Sequence, residues 1–393
     1  MKFDESIFSE RMKPISGSVI RDIFKLLGDP DMISFAGGNP SNAALESDVV
    51  AELAQDVLKQ YGPSLLQYGA TEGMMPLRES TAAFLKNCGI SCTGAEILPT
   101  QGSTQAIDLL IKAVINPGDT ILVESPTFLG SLQAMKIYQA NIVPVPTDEG
   151  GLILEEVEKA ILRYHPKMLY VIPTFQNPTG ITLAADRRKP LAEMVNKYGV
   201  ILAEDDPYRD LRYDGEACPA IKAYDENGWV VYLTSYSKLI SPGMRVGAAV
   251  VSNPALLRKM VIGKQSSDVH TPLLNQAIVN EYLRRGLLMP HIRRICGNYR
   301  RQMHAMLDGF RFFPEGTVHT QPQGGLFVWA ALPEGMNAAE LLPKAVANKV
   351  AYVPGTHFYP EGGHENTLRL NFSMSEPEAI ERGMRALGET FKA

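Results

Sequence analysis

The feature that most constrains this chain is a series of short apolar runs spaced by amphipathic stretches through its middle. TILVESP follows the turn signal NPGD at 116–119. KMLYVIP follows LEEVEKAILRYHP, GVILAEDD follows RKPLAEMVNKYG, and WVVYLTS and VGAAVVS come next. Short β-branched runs separated by helical stretches imply crossover connections, hence a mostly parallel sheet with both faces covered. In such sheets ligands sit beyond the carboxyl ends of the strands. Polar residues gather at those ends: Glu124, Ser125, Asn177, Asp205, Tyr208, Ser235, Ser237 and Lys238 each follow an apolar run closely.

The last third reads differently. EYLRRGLLMPHIRRICGNYRRQMHAMLDGF, from about 281, has the pattern of one long basic helical region. FVWAALP, VAYVPG and LRLNFS then read as strands with an intervening helix, a second and smaller α/β unit. The expected division is an N-terminal segment, 1–45, that joins the small unit and covers the site, a large domain, 46–285, and a small C-terminal domain, 286–393. At 393 residues the chain is long enough for such an arrangement and for a large core.

Composition excludes several classes of function. A net charge of -5 argues against nucleic acid as a partner, because phosphate neutralisation needs clustered Lys and Arg. One or two buried arginines can still bind a small anion. Four cysteines are few, and the close pair in CGISC (Cys88, Cys92) lacks the further ligands of a zinc set. No metal is expected. The N-terminus MKFDESIFSERMK has no apolar stretch of signal-peptide type, and no run approaches the roughly 20 apolar residues of a membrane span. A reduced, cytoplasmic protein without membrane contact is expected.

Four clusters carry chemistry. In QGSTQAIDLLIKAVI a glycine-hydroxyl turn opens an apolar helix pattern, placing Ser103 and Thr104 in the first turn, where free N–H groups favour an anion. Taken alone, that stretch is better explained as an ordinary helix cap. NPTG at 177–180 is a turn signal after a strand, and Asn177 there can donate to a ligand oxygen. AEDDPYRDLRYDG puts acids directly after a buried strand, which is costly unless a cation answers them. A helix N-terminus, solvent or a protonated ring nitrogen would each serve, with Tyr208 turned to the same ligand. The fourth cluster, SYSKLISPGMRVG, holds one lysine among hydroxyls and then one arginine. A free lysine, with a pKa of about 10.4, is protonated and inert, whereas burial and a nearby cation yield a neutral amine able to form a Schiff base. Arg245 with Ser235 and Ser237 suits a phosphate dianion. A carbonyl for Lys238, a phosphate for Arg245 and a ring nitrogen for Asp205 together describe pyridoxal 5'-phosphate.

The ordered stretches FAGGNP, LLQYGATEGMMPLRE, QGSTQAID, VESPTFLG, NPTG, EDDPY, SYSKLISPGMRVG and LRLNFS make the chain resemble the fold-type I pyridoxal-phosphate aminotransferases of class I/II. The stretch SVIRDIFKLLGDPDMISFAGGNP is most similar to the 2-aminoadipate and kynurenine branch. The resemblance implies a mixed, mostly parallel sheet sandwiched by helices in a large cofactor domain, and a small α/β domain. It implies that Lys238 is the Schiff-base lysine and moves the substrate proton, that Asp205 pairs with the ring nitrogen, and that Asn177 and Tyr208 contact the ring's 3-oxygen. Ser103, Thr104, Ser235, Ser237 and Arg245 would surround the phosphate, with Tyr68 reaching it from the other subunit of a homodimer. Arg369 would clamp the substrate α-carboxylate, with Gly38 and Asn177 nearby.

One departure concerns the ring-stacking residue: the family's PTY is PTF here, so Phe128 keeps the aromatic face and lacks the phenol. In SVIRDIFKLL, an amphipathic helix pattern, two readings of Arg21 stand. It meets a substrate side-chain carboxylate, or it is a solvated arginine paired with Asp22 or Asp29. The expected reaction moves an amino group between an L-amino acid (glutamate, 2-aminoadipate, or an aromatic or aliphatic donor) and a 2-oxo acid such as 2-oxoglutarate, in two ping-pong halves. A C–S β-lyase would use the same lysine. A non-catalytic sensor domain should carry a helix-turn-helix ahead of this region, and the family-like segment begins within the first twenty residues.

Overall fold

The computed structural model describes residues 4–13, 15, 17 and 31–392. Its first nine strands in chain order are β1 (Ile33–Ser34), β2 (Ile97–Thr100), β3 (Thr120–Ser125), β4 (Asn141–Asp148), β5 (Gly151–Leu152), β6 (Met168–Val171), β7 (Ile201–Asp205), β8 (Val230–Ser235) and β9 (Gly247–Val250). All but β1 form one sheet, ordered β2-β9-β8-β7-β6-β3-β4-β5. Its centre, from β8 to β4, is parallel. At one side β9 reverses and pairs antiparallel with both β8 and β2. At the other, β5 folds back on β4.

Side chains alternate across a strand, so each run feeds two cores. Val123, Tyr170, Ala203 and Val231 face one of them, and Leu122, Leu169, Leu202 and Val230 face the other. The helices of this part are α1 (Ser47–Tyr61), α2 (Met75–Leu85), α3 (Ser103–Val114), α4 (Leu129–Ile137), α5 (Leu154–Tyr164) and α6 (Ala185–Tyr198). On the first face α3 contributes Leu109 and Leu110. On the second, α5 buries Val157 and Ile161, four residues apart on one stripe, beside Leu191 and Val195 of α6. Each such side chain, fully buried, contributes roughly 1.5–3 kcal/mol relative to exposure.

The basic region from 281 is not one helix. After α7 (Pro254–Gln265), the chain forms α8 (Leu273–Arg284) and then α9 (Leu288–Gly309). Between them the N–H groups of Gly286 and Leu287 return to the carbonyls of Leu283 and Tyr282, the closure that ends a helix on a left-handed residue. Gly286 supplies that residue, at φ +69.

The remaining strands are β10 (Val318–His319), β11 (Phe327–Ala331), β12 (Val350–Ala351), β13 (Val353–Pro354) and β14 (Thr367–Asn371), with α10 (Ala338–Ala347) between and α11 (Pro377–Lys392) last. Four make an antiparallel sheet, β10-β11-β14-β13, and β12 pairs in parallel with β1. Residues 35–38 leave β1 toward the centre of the molecule and meet Arg369 of β14 there. The amphipathic stretch around Arg21 lies outside the described residues.

Candidate active site

Asp205 is the last residue of β7 and is buried. Its Oδ2 accepts a 2.8 Å hydrogen bond from the Tyr170 phenol. No donor completes a hydrogen bond to its buried Oδ1. Burial raises this carboxyl to about 6, against the opposing effect of the Tyr170 and Ser103 hydroxyls. A buried carboxylate with one open oxygen is suited to a donor from outside the chain.

Lys238 follows β8 in a tight turn closed by Leu239 N–H and Ile240 N–H to the Tyr236 carbonyl. Its Nζ donates to the Gly38 carbonyl at 2.7 Å. Burial, then the cations Arg245 and Arg369, push the amine down to about 8. The ammonium therefore loses its proton far more readily than a solvated lysine does.

Arg369, on β14, is fully buried, and both of its polar partners are neutral. Its guanidinium donates to Asn177 Oδ1 at 2.8 Å and to the Ala36 carbonyl at 2.7 Å, and its Nε has no partner. The rings of Phe327 and Phe358 lie 4.4 and 5.2 Å from it. Burial lowers its pKa to about 10. Asn177 also points its Nδ2 at the Tyr208 hydroxyl, 3.4 Å away, and burial pushes that phenol up to about 12. Phe327 closes the group: it meets the Tyr208 ring edge-on, and a Cβ on Gly38 would sit 3.2 Å from its ring.

A second group surrounds the start of α3. Gly102 caps that helix at φ +80 without a side-chain acceptor, leaving first-turn N–H groups at Ser103 and Thr104 without a cap. Ser235 Oγ donates to Ser237 Oγ at 2.8 Å. Arg245 reaches Ser237 Oγ at 3.3 Å and the Gln101 carbonyl at 2.8 Å. Backbone approach is close here: a Cβ on Gly102 would lie 2.7 Å from Arg245 Nη2, and one on Gly247 would lie 2.8 Å from Gly102 Cα. Hydroxyls, a guanidinium and a helix N-terminus thus converge on one small region, which is the donor set a phosphate dianion takes.

Two sequence candidates stand apart from these hydrogen-bonded groups. Phe128 precedes α4 and is half-buried, its ring 2.7 Å from where a Cβ on Gly130 would be. Tyr68 is 80% exposed and meets the His270 ring edge-on. Arg21 lies outside the described residues. Glu124, although at a strand end, serves the opposite face, where it accepts from Ile172 N–H at 2.8 Å, and burial raises it to about 8.

The sequence reading missed Tyr170, the Gln101 and Ala36 carbonyls, and Phe358. Tyr170 becomes identifiable once the strand register is known. It pairs with Ala203, two residues before Asp205, so strand alternation places it on the Asp205 face.

A depressed amine, a buried carboxylate with an open oxygen and a phosphate cradle fit pyridoxal 5'-phosphate. Fold and site together define a pyridoxal-phosphate enzyme of fold type I. The family model for aminotransferase class I and II matches residues 30–387, and the chain belongs to that family. It is 41% identical to aromatic-amino-acid aminotransferase 1 of Thermococcus litoralis, over 99% of this chain and 94% of the relative. It is 40% identical to the 2-aminoadipate transaminase of Thermus thermophilus, over 96% and 94%. Among solved structures, a Pyrococcus horikoshii kynurenine aminotransferase superposes with a TM-score of 0.94 at 39% identity, covering 99% of this chain and 97% of that one. The protein is a pyridoxal-phosphate-dependent transaminase acting between amino acids and oxo acids. These relatives are named for transamination, not for C–S lysis.

Proposed function

We propose that this transaminase takes glutamate, 2-aminoadipate and aromatic amino acids as donors and 2-oxoglutarate as an acceptor. The observation that carries the amino-acid reading is Arg369, a buried cation with only neutral partners and one unsatisfied N–H, walled by Phe327 and Phe358. A substrate α-carboxylate supplies the missing anion, and a bidentate fork fixes the orientation of Cα. The choice of donors is supported by relatives named for aromatic amino acids and for 2-aminoadipate.

When bound, pyridoxal phosphate supplies the carbonyl that exchanges amines and the ring that takes up the electrons of the Cα–H bond. Arg245, Ser235, Ser237 and the first turn of α3, with Ser103 and Thr104, would hold its phosphate. Asp205 Oδ1 would hold the ring nitrogen, Asn177 Nδ2 and the Tyr208 hydroxyl would bind the 3-oxygen, and Phe128 would stack on the ring. The neutral Nζ of Lys238 takes the proton from substrate Cα and returns it on the other side of the reaction. Gly38 keeps the substrate region open, because a side chain there would meet Phe327.

The exposed Tyr68 supports a homodimer in which the partner subunit's Tyr68 completes each phosphate site. Residues 286–393 act as the small domain, joined by 1–45 through the β1–β12 pair, and 46–285 as the cofactor domain. Cytoplasmic residence is supported by the four cysteines, all free thiols. Among the described residues no helix is long and apolar enough to cross a membrane.

Donor turnover by Arg21→Ala tests the acidic-donor reading: selective loss with glutamate and 2-aminoadipate is expected, and equal loss with neutral donors rejects it. Sedimentation should give twice the 43.2 kDa chain mass, and an active monomer would reject the shared site.

A further inference from the structure

Asp205 has two oxygens in different circumstances, and the difference is built by one side chain. Tyr170, from the middle of the sheet, is fully buried and gives its single phenolic proton to Asp205 Oδ2 at 2.8 Å. Oδ1 completes no hydrogen bond within the fold, although the Ser103 hydroxyl lies close enough to the carboxyl to favour its ionised form as well. The register explains the meeting: Tyr170 lies beside Ala203, and Ala203 and Asp205 point to the same face of β7. Ser131 of α4, also buried, lies near the same phenol and acts against the upward shift of its pKa. A row of hydroxyls therefore runs from the helix that follows Phe128, through Tyr170, to the back of Asp205. The other charged neighbours are unhelpful. Asp206, the next residue, disfavours ionisation of Asp205, and Glu124 is a second buried acid near Tyr170.

We propose that Tyr170 is a positioning residue for the cofactor ring: its phenol occupies Oδ2, reserves Oδ1 for the ring nitrogen, and weakens Asp205 as a base so that the shared proton stays on the ring. The reasoning is a competition for one proton. Between a buried carboxylate and a pyridine nitrogen in contact, the proton resides on the more basic partner. A phenol donated to the carboxylate stabilises its ionised form and so lowers its basicity. Without that donor, Oδ2 is a buried acceptor with no partner, the carboxylate becomes the stronger base, and the proton moves to it. The pair is then neutral, and the ring loses the positive charge that draws electrons from Cα. A hydrogen bond to a charged group is strong enough to shift such a proton equilibrium roughly 10- to 100-fold.

The inference rests on the assignment of Asp205 to the ring nitrogen, and one experiment separates the two. Holoenzyme is loaded with pyridoxal phosphate labelled with nitrogen-15 in the ring, and its nuclear magnetic resonance shift reports directly whether that nitrogen carries a proton. Wild type should show a protonated nitrogen. Tyr170→Phe, close to isosteric, should retain bound cofactor and move the signal toward the unprotonated value. 3-Fluorotyrosine at position 170 keeps the shape and the donor and should restore the wild-type shift. A Tyr170→Phe signal identical to wild type overturns the proposal, as does a fluorotyrosine signal like that of phenylalanine. If Tyr170→Phe fails to fold, the fluorotyrosine and Ser131→Ala proteins carry the test. Ser131→Ala should give a smaller displacement in the same direction as expected for Tyr170→Phe, and no displacement there overturns the proposal. Asp205→Asn is the control on the assignment. Its ring nitrogen should be unprotonated, and a protonated nitrogen in that variant refutes the placement of Asp205 itself.

Discussion

Lys238 should make the cofactor-free protein less stable than it would be without it. In the unfolded chain the amine has the ordinary value of 10.5, and in the fold burial, Arg245 and Arg369 bring it to about 8. A difference of that size between two protonation states corresponds to roughly 3 kcal/mol. The sign follows from proton counts. Between about 8 and 10.5 the unfolded chain binds the proton and the folded one does not, so stability rises with pH across that window. The penalty is complete below about 8 and absent above 10.5. Lys238→Met removes the charge and keeps most of the length, but it also leaves the Gly38 carbonyl without its 2.7 Å donor, which costs about 1 kcal/mol. The expected net result is a gain of about 2 kcal/mol at pH 7 that turns into a loss of about 1 kcal/mol above 10.5. Urea unfolding of cofactor-free wild type and variant, over that pH range, measures it. Other groups titrate at high pH too, but the difference between the two proteins isolates this lysine. No gain at pH 7, or a gain that does not change with pH, would refute the claim that the fold holds Lys238 as a depressed amine.

Three further outcomes are expected. Lys264 is buried with its side chain fully covered and pairs with Asp268 at 2.8 Å, so Asp268→Ala should cost about 3 kcal/mol by urea unfolding. Lys264→Met should cost less, because Asp268 keeps donors from Gln101 and Gln105, and the reverse order would contradict this. Gly102→Ala combines a φ of +80 with a Cβ 2.7 Å from Arg245 Nη2, and should weaken pyridoxal phosphate binding about tenfold. Titration of the apoprotein reads that loss, and pyridoxal without its phosphate should be unaffected; an unaltered affinity for the phosphorylated form rejects the cradle. Arg369→Lys keeps a charge but loses the planar fork, and should raise KM for amino donors roughly 10- to 100-fold with a smaller change in kcat. An unchanged KM removes the carboxylate from that position.

Much of the fold was legible because its strands are short apolar runs with polar ends. β3, β6, β7 and β8 fall within TILVES, MLYV, ILAED and VVYLTS, and the residues that close the site follow directly. The break between α8 and α9 was hidden because a basic amphipathic pattern continues across RRGLL, and only the glycine's left-handed turn ends the helix. Partners that act through the backbone were not legible at all. The Gln101, Ala36 and Gly38 carbonyls meet Arg245, Arg369 and Lys238 whatever their side chains are. Phe327 and Phe358 look like any core aromatic, and their value lies in the faces they turn to a buried guanidinium. Tyr170 reads as a strand residue until the register of β6 against β7 is known.

The measurement that bears most directly on the central claim is a single turnover without acceptor. The pyridoxal-phosphate form is mixed with one amino acid at a time, and both the absorbance of the bound cofactor and the released product are followed. Transamination predicts conversion of the cofactor to its amino form with one equivalent of 2-oxo acid released per site, fastest with glutamate, 2-aminoadipate or an aromatic donor. Return of the cofactor to its starting form while ammonia and pyruvate accumulate would contradict it.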